Sequence, residues 1–220
     1  MEEAMHVLPA AFFARSPLDV APDLLGKLLI REVKGQQLIG RLVETEAYTQ
    51  DDEAFIGWGI YDVATGLIKP EGRGYEFFGH PGRAYIYKVY RVHWLLNVIT
   101  EPEGRGSAVL IRALEPLNGL NAMYERREVA KRDRDLCNGP GKLTQALGID
   151  VALHKHPVDQ PPLWLAEDGY VPERIATSTR IGLSRGIDKP WRFFIEGHPH
   201  VSPGVPSDLA RARRQRRKNA

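Results

Sequence analysis

The sequence predicts an α+β fold: a single domain on an antiparallel-rich mixed sheet, with flanking short helices and a protruding β-hairpin. Three observations lead there. The chain has 220 residues, room for one sizeable core, and no linker or internal repeat divides it. Segments of strand length and composition are many, and long helical stretches are few. Hydrophobic residues make up 43% and charged residues 26% of the chain, which excludes a disordered or fibrous protein.

Taken in order, residues 11–30 read as a short helix leading into a strand over Leu24–Glu32. Gly35 marks a turn and Gln37–Thr49 its hairpin partner. Residues 50–82, rich in Gly and acids, follow neither period. Ala84–Val89 and His93–Thr100 form a second hairpin, with Tyr, Ile and Val supplying strand propensity. Ala108–Leu114 is a further strand and Gly119–Ala130 a helix. Leu143–Gly148 is a short helix begun by the turn Asn138-Gly139-Pro140-Gly141. Pro162–Glu167, Ile175–Ile181 and Trp191–Glu196 are late strands.

One cysteine, Cys137, excludes an intrachain disulfide framework and a Cys-rich zinc module. His154 with His156, and His198 with His200, lie in Pro-bearing stretches and read as loop histidines, so no metal site is expected. The first twenty residues, with Glu2, Glu3 and Arg15, do not read as a secretory signal. No apolar run reaches the roughly 20 residues of a membrane helix. The expectation is a cytoplasmic protein with no membrane partner, and a monomer by default.

The formal charge of +2 is unevenly spread. Positions 211–220 carry Arg211, Arg213, Arg214, Arg216, Arg217 and Lys218 and no acid; taking those six from 30 bases leaves 24 against 28 acids, so residues 1–210 sum to −4. The division expected is a domain over 1–205 and a basic tail over 206–220. Such a tail either attracts phosphate or is a solvated end. Arg126, Arg127, Lys131, Arg132 and Arg134 alternate with acids, as on an exposed helix face laced with ion pairs.

In Gly40-Arg-Leu-Val-Glu-Thr-Glu-Ala-Tyr48, strand alternation projects Glu44, Glu46 and Tyr48 together, with the carboxylates roughly 7 Å apart at ~3.3 Å per residue. That face suits hydrolysis, one carboxylate taking a proton from water while its neighbour tunes it. It also fits an exposed acidic edge that prevents strand aggregation. Tyr85 and Tyr87 share a face of the second hairpin, and Tyr90 and Arg91 sit near its tip beside Trp94. A Tyr-Arg pair at a tip has nothing of its own chain to pack on, which suits stacking on bases and touching phosphates. Asn97 and Arg112, polar among strand-forming apolar neighbours, are expected to face a polar cleft; a structural salt bridge from Arg112 to a Glu is the alternative, and the two can coexist. The turn Cys137-Asn-Gly-Pro-Gly-Lys142 points backbone N–H groups forward at a helix start, as in a phosphate site or in a plain helix-opening turn. It is not a P-loop, since Leu143 follows the lysine and Leu136 occupies the place of the first glycine.

Taken together these stretches resemble the alkyladenine (3-methyladenine-type) DNA glycosylase family. The matching pieces are Arg41-Leu-Val-Glu-Thr-Glu-Ala-Tyr48, Pro81-Gly82 with Tyr85-Ile-Tyr87, Asn97-Val98, Val109-Leu-Ile-Arg-Ala-Leu-Glu-Pro-Leu117, Cys137-Asn-Gly-Pro-Gly-Lys-Leu-Thr-Gln-Ala-Leu147, Arg180-Ile-Gly and Lys189-Pro-Trp-Arg-Phe-Phe194. They occur in the family's order over most of residues 10–202. The resemblance implies hydrolysis of the N-glycosidic bond of an alkylated base flipped out of duplex DNA that contains damaged bases, by a water nucleophile, without cofactor or lyase step. Glu46 would be the general base, with Arg112 and the main-chain carbonyl of Ile181 holding the water. Tyr48 and Tyr87 would sandwich the base, and Asn97 would crowd the 2-amino group of guanine. Tyr90 would fill the gap in the duplex, making the hairpin DNA-inserting, with Arg91, Gly141 and Lys142 as further DNA contacts. Glu44 would be a supporting charge.

The family pattern Asp-Glu-Ala-x-His departs here, where Asp52-Glu53-Ala54-Phe55 is followed by Ile56. That exchange weakens recognition of neutral lesions such as hypoxanthine, so 3-methyladenine and 7-methylguanine are expected to be released faster. Trp58 and Tyr61 are candidates to replace the lost contacts. Two other readings compete: a non-catalytic nucleic-acid-binding module using Tyr90, Arg91 and the basic tail, and a sugar hydrolase using Glu44 and Glu46. The second fits poorly, because its carboxylates must flank one bond from opposite sides.

Overall fold

The computed structural model describes residues 5–218 apart from 63, 70, 71 and 73. Glu2 and Glu3 and the side chains of Arg216, Arg217 and Lys218 lie outside the described residues. In chain order come β1 (His6–Val7), α1 (Ala10–Phe13), α2 (Pro17–Asp23), β2 (Leu28–Val33), β3 (Gln36–Thr49), and a small pair β4 (Tyr61–Asp62) and β5 (Leu67–Ile68). β6 (Ala84–Val89), β7 (His93–Ile99) and β8 (Ser107–Asn118) follow, then α3 (Leu120–Arg126), α4 (Asp133–Leu136) and α5 (Pro140–Leu147). The chain continues with β9 (Asp159–Gln160), β10 (Leu163–Glu167), β11 (Ile175–Ser178), β12 (Arg192–Ile195) and α6 (Ser207–Lys218).

Among the described residues, ten strands make one sheet along the path β1-β10-β2-β3-β8-β7-β6, with β9 beside β10 and β12 joining β11 to β3. The fold is α+β, and the named pairings are antiparallel. β3 is its spine. β8 runs along one side, while β2 covers the other as far as Arg41 and β12 takes over at Glu44–Glu46. Enclosure on both edges is what buries the β3 carboxylates. The β3–β8 register steps over Val43 on one strand and Arg112 on the other. Such irregularities re-aim side chains beside functional sites, and here they bring Arg112 against both carboxylates.

Period-2 alternation divides the sheet into two faces. Leu42, Ala47, Ile86, Leu96, Val98, Val109 and Ile111 pack with Phe13, Val20 and Leu24 at the α1–α2 end and Leu136, Leu143 and Leu147 of α4 and α5 in the main core. Tyr85 and Ala108 turn the other way, joining Phe55, Phe77, Phe78 and Ile99 in an aromatic cluster against which Tyr48, Ile56 and Tyr87 pack. Tyr85 stacks on Phe77 with ring centroids 3.8 Å apart. The second cluster floors the site.

Several sequence expectations need correction. Residues 10–23 hold two helices rather than one, because Ser16 caps the second, accepting from the Leu18 N–H at 3.2 Å, with Pro17 in its first turn. The helix expected over Gly119–Ala130 stops at Arg126. Arg127 leaves helical geometry (φ −132°, ψ 59°), is buried, and donates to Gln145 Oε1 at 2.8 Å. The 126–134 cluster is therefore not one exposed helix face, although Arg132 does pair with Asp135 at 3.0 Å. β8 extends beyond Leu114 to Asn118, α5 starts at Pro140, and β11 stops at Ser178, before Ile181. His154 does lie in a loop, where its Nδ1 accepts from the Ile86 N–H at 3.0 Å and Nε2 meets Glu76 at 2.5 Å.

Candidate active site

The site is assembled where β3, β8, the β6–β7 hairpin and the 179–183 segment converge. Glu46 has no exposed surface. Its Oε1 accepts from the Ile181 N–H at 2.8 Å and lies 3.3 Å from Arg112 Nη1, and its Oε2 accepts from the Tyr48 hydroxyl at 2.7 Å. Arg112 uses Nε to reach Glu44 Oε1 at 2.8 Å. One guanidinium thus bridges two carboxylates, and their charges raise its pKa in spite of burial.

Glu44, equally unexposed, is saturated. Arg192 Nε (2.7 Å) and Ser202 Oγ (2.9 Å) also donate to Oε1, and the Ser202 N–H donates to Oε2 at 2.7 Å. Burial alone would raise this carboxyl; Arg112, Arg192 and these hydrogen bonds outweigh it and hold Glu44 below the usual carboxylate range. Its accepting positions are spent on protein donors.

Tyr48 is held from two sides. Burial first, then the Glu46 charge and hydrogen bond, push its phenol well above the ordinary value, so it remains a donor. Arg180 lies over its ring, 4.5 Å from the centroid. That guanidinium is fully buried, pairs with the unexposed Asp52, and donates to the carbonyls of Ala47 (3.0 Å) and Gly186 (2.9 Å). Lys189 approaches Asp52 at 3.4 Å.

Glu46, Tyr48, Ile56, Tyr87, Tyr90, Arg112, Gly141, Lys142 and Ile181 border one cavity of about 950 Å³, the size of small-ligand sites. Asn97, buried and donating to the Tyr85 carbonyl at 3.3 Å, lines an adjoining recess of about 70 Å³ that shares Tyr48, Ile56 and Tyr87 with it. Lys142 donates to Asn138 Oδ1 at 2.7 Å. Gly141 is required for space, since a Cβ there would lie 2.9 Å from His93 Cβ.

At the hairpin tip Tyr90 (φ 49°) and Arg91 (φ 59°) are both left-handed, and the Val92 N–H closes the turn on the Val89 carbonyl at 3.1 Å. This geometry favours Asn-Gly, and for L side chains it costs about 1–2 kcal/mol per residue. What it achieves is presentation: Tyr90 is 87% exposed. Arg91, exposed beside it, does not border the cavity.

Of the residues expected to act on the water, the base or the DNA, all but Asn97 and Arg91 border one cavity. Ile181 touches Glu46 through its amide N–H, whereas the expected role involved its carbonyl. Trp58 is half exposed and Tyr61 packs on the aromatic cluster, and neither borders the cavity in place of the missing histidine. Sequence reasoning missed Arg180, Asp52 and Arg192 as supports. The only signal was their presence in quoted stretches, Arg180-Ile-Gly, Asp52-Glu53-Ala54 and Pro190-Trp-Arg192, without a role for each. Among the described residues there is no group of three or more His, Cys, Asp or Glu that could hold a metal ion, and no helix is long and apolar enough to cross a membrane.

Chemically, the arrangement offers a carboxylate fixed by three donors, in the wall of a cavity flanked by phenol rings. Comparison with known proteins adds to this. Residues 11–199 match the family described as Methylpurine-DNA glycosylase (MPG). Relatives named "Putative 3-methyladenine DNA glycosylase" include one from Salinibacter ruber, 48% identical over 206 residues, 92% of this chain and 100% of the relative. One from Rhodopseudomonas palustris is 44% identical over 89% of this chain and 87% of its own length, and one from Chlorobaculum parvum is 41% identical over 97% and 100%.

Proposed function

The chain belongs to the methylpurine-DNA glycosylase family, and on that premise we propose that it hydrolyses the N-glycosidic bond of alkylated purines flipped out of duplex DNA, leaving an abasic site. The observation that carries this reading is the Glu46 carboxylate, held by Arg112, Tyr48 and the Ile181 amide in the wall of the aromatic cavity.

In the proposed step a water oxygen attacks C1′ of the deoxyribose and Glu46 takes its proton. The C1′–N bond breaks, and its electron pair goes to the purine nitrogen, neutralising the cationic base. A base methylated at N3 or N7 is already a good leaving group, so a single general base suffices and no metal or organic cofactor is called for. The negative carboxylate also favours the developing sugar cation. Glu46 has no exposed surface in the free protein yet lines the cavity, so the proposed water reaches it from the cavity side. The motif Arg41-Leu-Val-Glu-Thr-Glu-Ala-Tyr48 carries no lysine beside Glu46 to form the imine of a lyase step, so water is the proposed nucleophile.

Tyr48 and Tyr87 receive the flipped base between their rings; a cationic, electron-poor base stacks on phenols with on the order of 1–2 kcal/mol when desolvated. Asn97, in the adjoining recess, crowds the 2-amino group of a normal guanine. Tyr90 fills the gap left in the duplex, and Arg91, Gly141 and Lys142 meet the backbone. Eversion costs a few kcal/mol, least at damaged pairs, which adds selectivity. Ile56 puts an apolar side chain where the family pattern has histidine, so stacking on cations outweighs hydrogen bonding to neutral bases.

The test is to incubate the purified protein with methylated duplex DNA and count released bases. Release of 3-methyladenine and 7-methylguanine, with slower release of hypoxanthine from an inosine duplex, is the expected result. Ile56→His should raise the hypoxanthine rate relative to 3-methyladenine. Tight DNA binding with no released base would favour the non-catalytic binding module instead, and hypoxanthine released as fast as the methylated bases would overturn the lesion preference.

A further inference from the structure

We propose that helix α6 is a DNA-backbone arm, built onto the 179–183 segment so that Arg211 and Arg214 neutralise duplex phosphates beside the Tyr90 tip. The proposal rests on the reading of the cavity as a DNA glycosylase site and extends it to an element outside that cavity. Its first support is the anchoring of the helix. The Ser207 N–H donates to the Arg180 carbonyl at 2.9 Å, the Leu183 N–H to Ser207 Oγ at 2.9 Å, and Thr179 Oγ1 to Asp208 Oδ1 at 2.5 Å. Ile181 bridges to Pro206 on the same edge, and its own N–H donates to Glu46. A single short segment therefore holds the proposed general base and the first turn of α6.

The second support is what α6 presents. Arg211 and Arg214 are exposed and line a groove of about 450 Å³ together with Tyr90, Gly182 and Leu183, the last three of which also border the main cavity. Three residues apart on a helix, the two arginines share a face. Positions 211–220 contain six bases and no acid, so the helix beyond its first turn has no internal counter-charge. Like charges at helical spacing repel one another, and a polyanion relieves that repulsion by exchanging condensed counterions for the arginines. Duplex DNA is the occupant that charge complementarity and proximity to Tyr90 select. The remaining body, at −4 over residues 1–210, offers no comparable uniform patch in sequence.

The experiment is fluorescence-anisotropy titration of the full chain onto a duplex carrying a tetrahydrofuran abasic-site analogue over a range of salt concentrations. Each phosphate contact contributes about 0.9 to the slope of log affinity against log salt for B-DNA, so Arg211→Ala with Arg214→Ala should lower the slope by about 1.8. Arg211→Lys with Arg214→Lys should restore most of it, which separates a charge effect from a folding defect. Arg174→Ala, which removes an exposed ion pair with Glu196, should leave the slope at the wild-type value. A double alanine variant that unfolds at the wild-type temperature and keeps the wild-type slope overturns the arm. Base release is assayed on the same preparations: release by the wild type with an unchanged slope in the alanine variant refutes the arm alone, and a lowered slope with no release by the wild type refutes the glycosylase reading alone.

Discussion

Glu44 and Glu46 lie two residues apart on one strand, both unexposed and both within reach of Arg112. Around Glu44 the other partners are Arg192 and two donors of Ser202, and it borders no part of the cavity. Around Glu46 they are a phenol and one backbone amide, and the cavity begins there. The difference teaches that burial alone does not separate the proposed general base from a structural carboxylate. A second guanidinium and a full set of protein donors turn Glu44 into a fixed counter-charge. Glu46 shares its single guanidinium, and its remaining donors sit on Tyr48 and the 179–183 segment, both at the cavity wall.

The residue common to both halves should show the largest effect. Arg112→Ala leaves two buried carboxylates without their shared cation, and removing one partner of a buried pair costs about 3–5 kcal/mol. Thermal unfolding should shift down by roughly 2–4 °C per kcal/mol for a chain of this size, with base excision lost as well. An unchanged midpoint would break the comparison at its hinge.

Glu44→Gln should come next, and mainly in stability. It removes a charge-assisted set worth about 2–3 kcal/mol and should lower the unfolding midpoint far more than turnover per folded molecule. The sign with pH follows from the direction of the Glu44 shift. A carboxyl held low in the folded state stabilises above its unfolded value of about 4.3 and loses that contribution as pH falls through the lower folded value. Urea midpoints of the wild type should therefore decline on acidification below about pH 4.5, and Glu44→Gln should flatten that limb. An identical acid limb in the variant would place the linked group elsewhere.

Tyr48→Phe sharpens the Glu46 half with a smaller change. The ring remains for stacking, and only the hydrogen bond to Glu46 Oε2 is removed. At about 1–2 kcal/mol, single-turnover excision should slow by roughly tenfold with DNA affinity nearly intact. An affinity loss that matched the rate loss would mean the hydroxyl serves binding rather than the carboxylate.

How far this division could be read in advance depended on the range of each interaction. Strand alternation is local, so Glu44, Glu46 and Tyr48 on one face, and Tyr85 with Tyr87 on another, were legible from spacing alone. The hairpin Ala84–Val89 with His93–Ile99 was equally plain. The partners that separate the two glutamates were not. Arg192 reaches Glu44 from 148 residues away and Ser202 from 158, and no periodicity ties them to β3. Arg180 lies after β11 has ended, where alternation says nothing of its packing against Tyr48. Helix α3 stops early for the same reason: Arg127 is drawn out by Gln145, a tertiary contact that overrides helix propensity. Within the stretch that showed no period, Phe55, Phe77 and Phe78 are buried by aromatic packing on one another and on Tyr85, which follows no repeat along the chain.

The central claim, that Glu46 activates the water while Glu44 only holds the framework, is tested most directly by Glu46→Gln under single-turnover conditions on a duplex carrying one alkylated purine, with affinity for the same duplex measured alongside. General-base catalysis is typically worth 10²–10⁴-fold, so excision should fall by about that factor while affinity stays near the wild-type value. Excision that persists within about threefold of the wild type would contradict the account, since general-base removal costs far more.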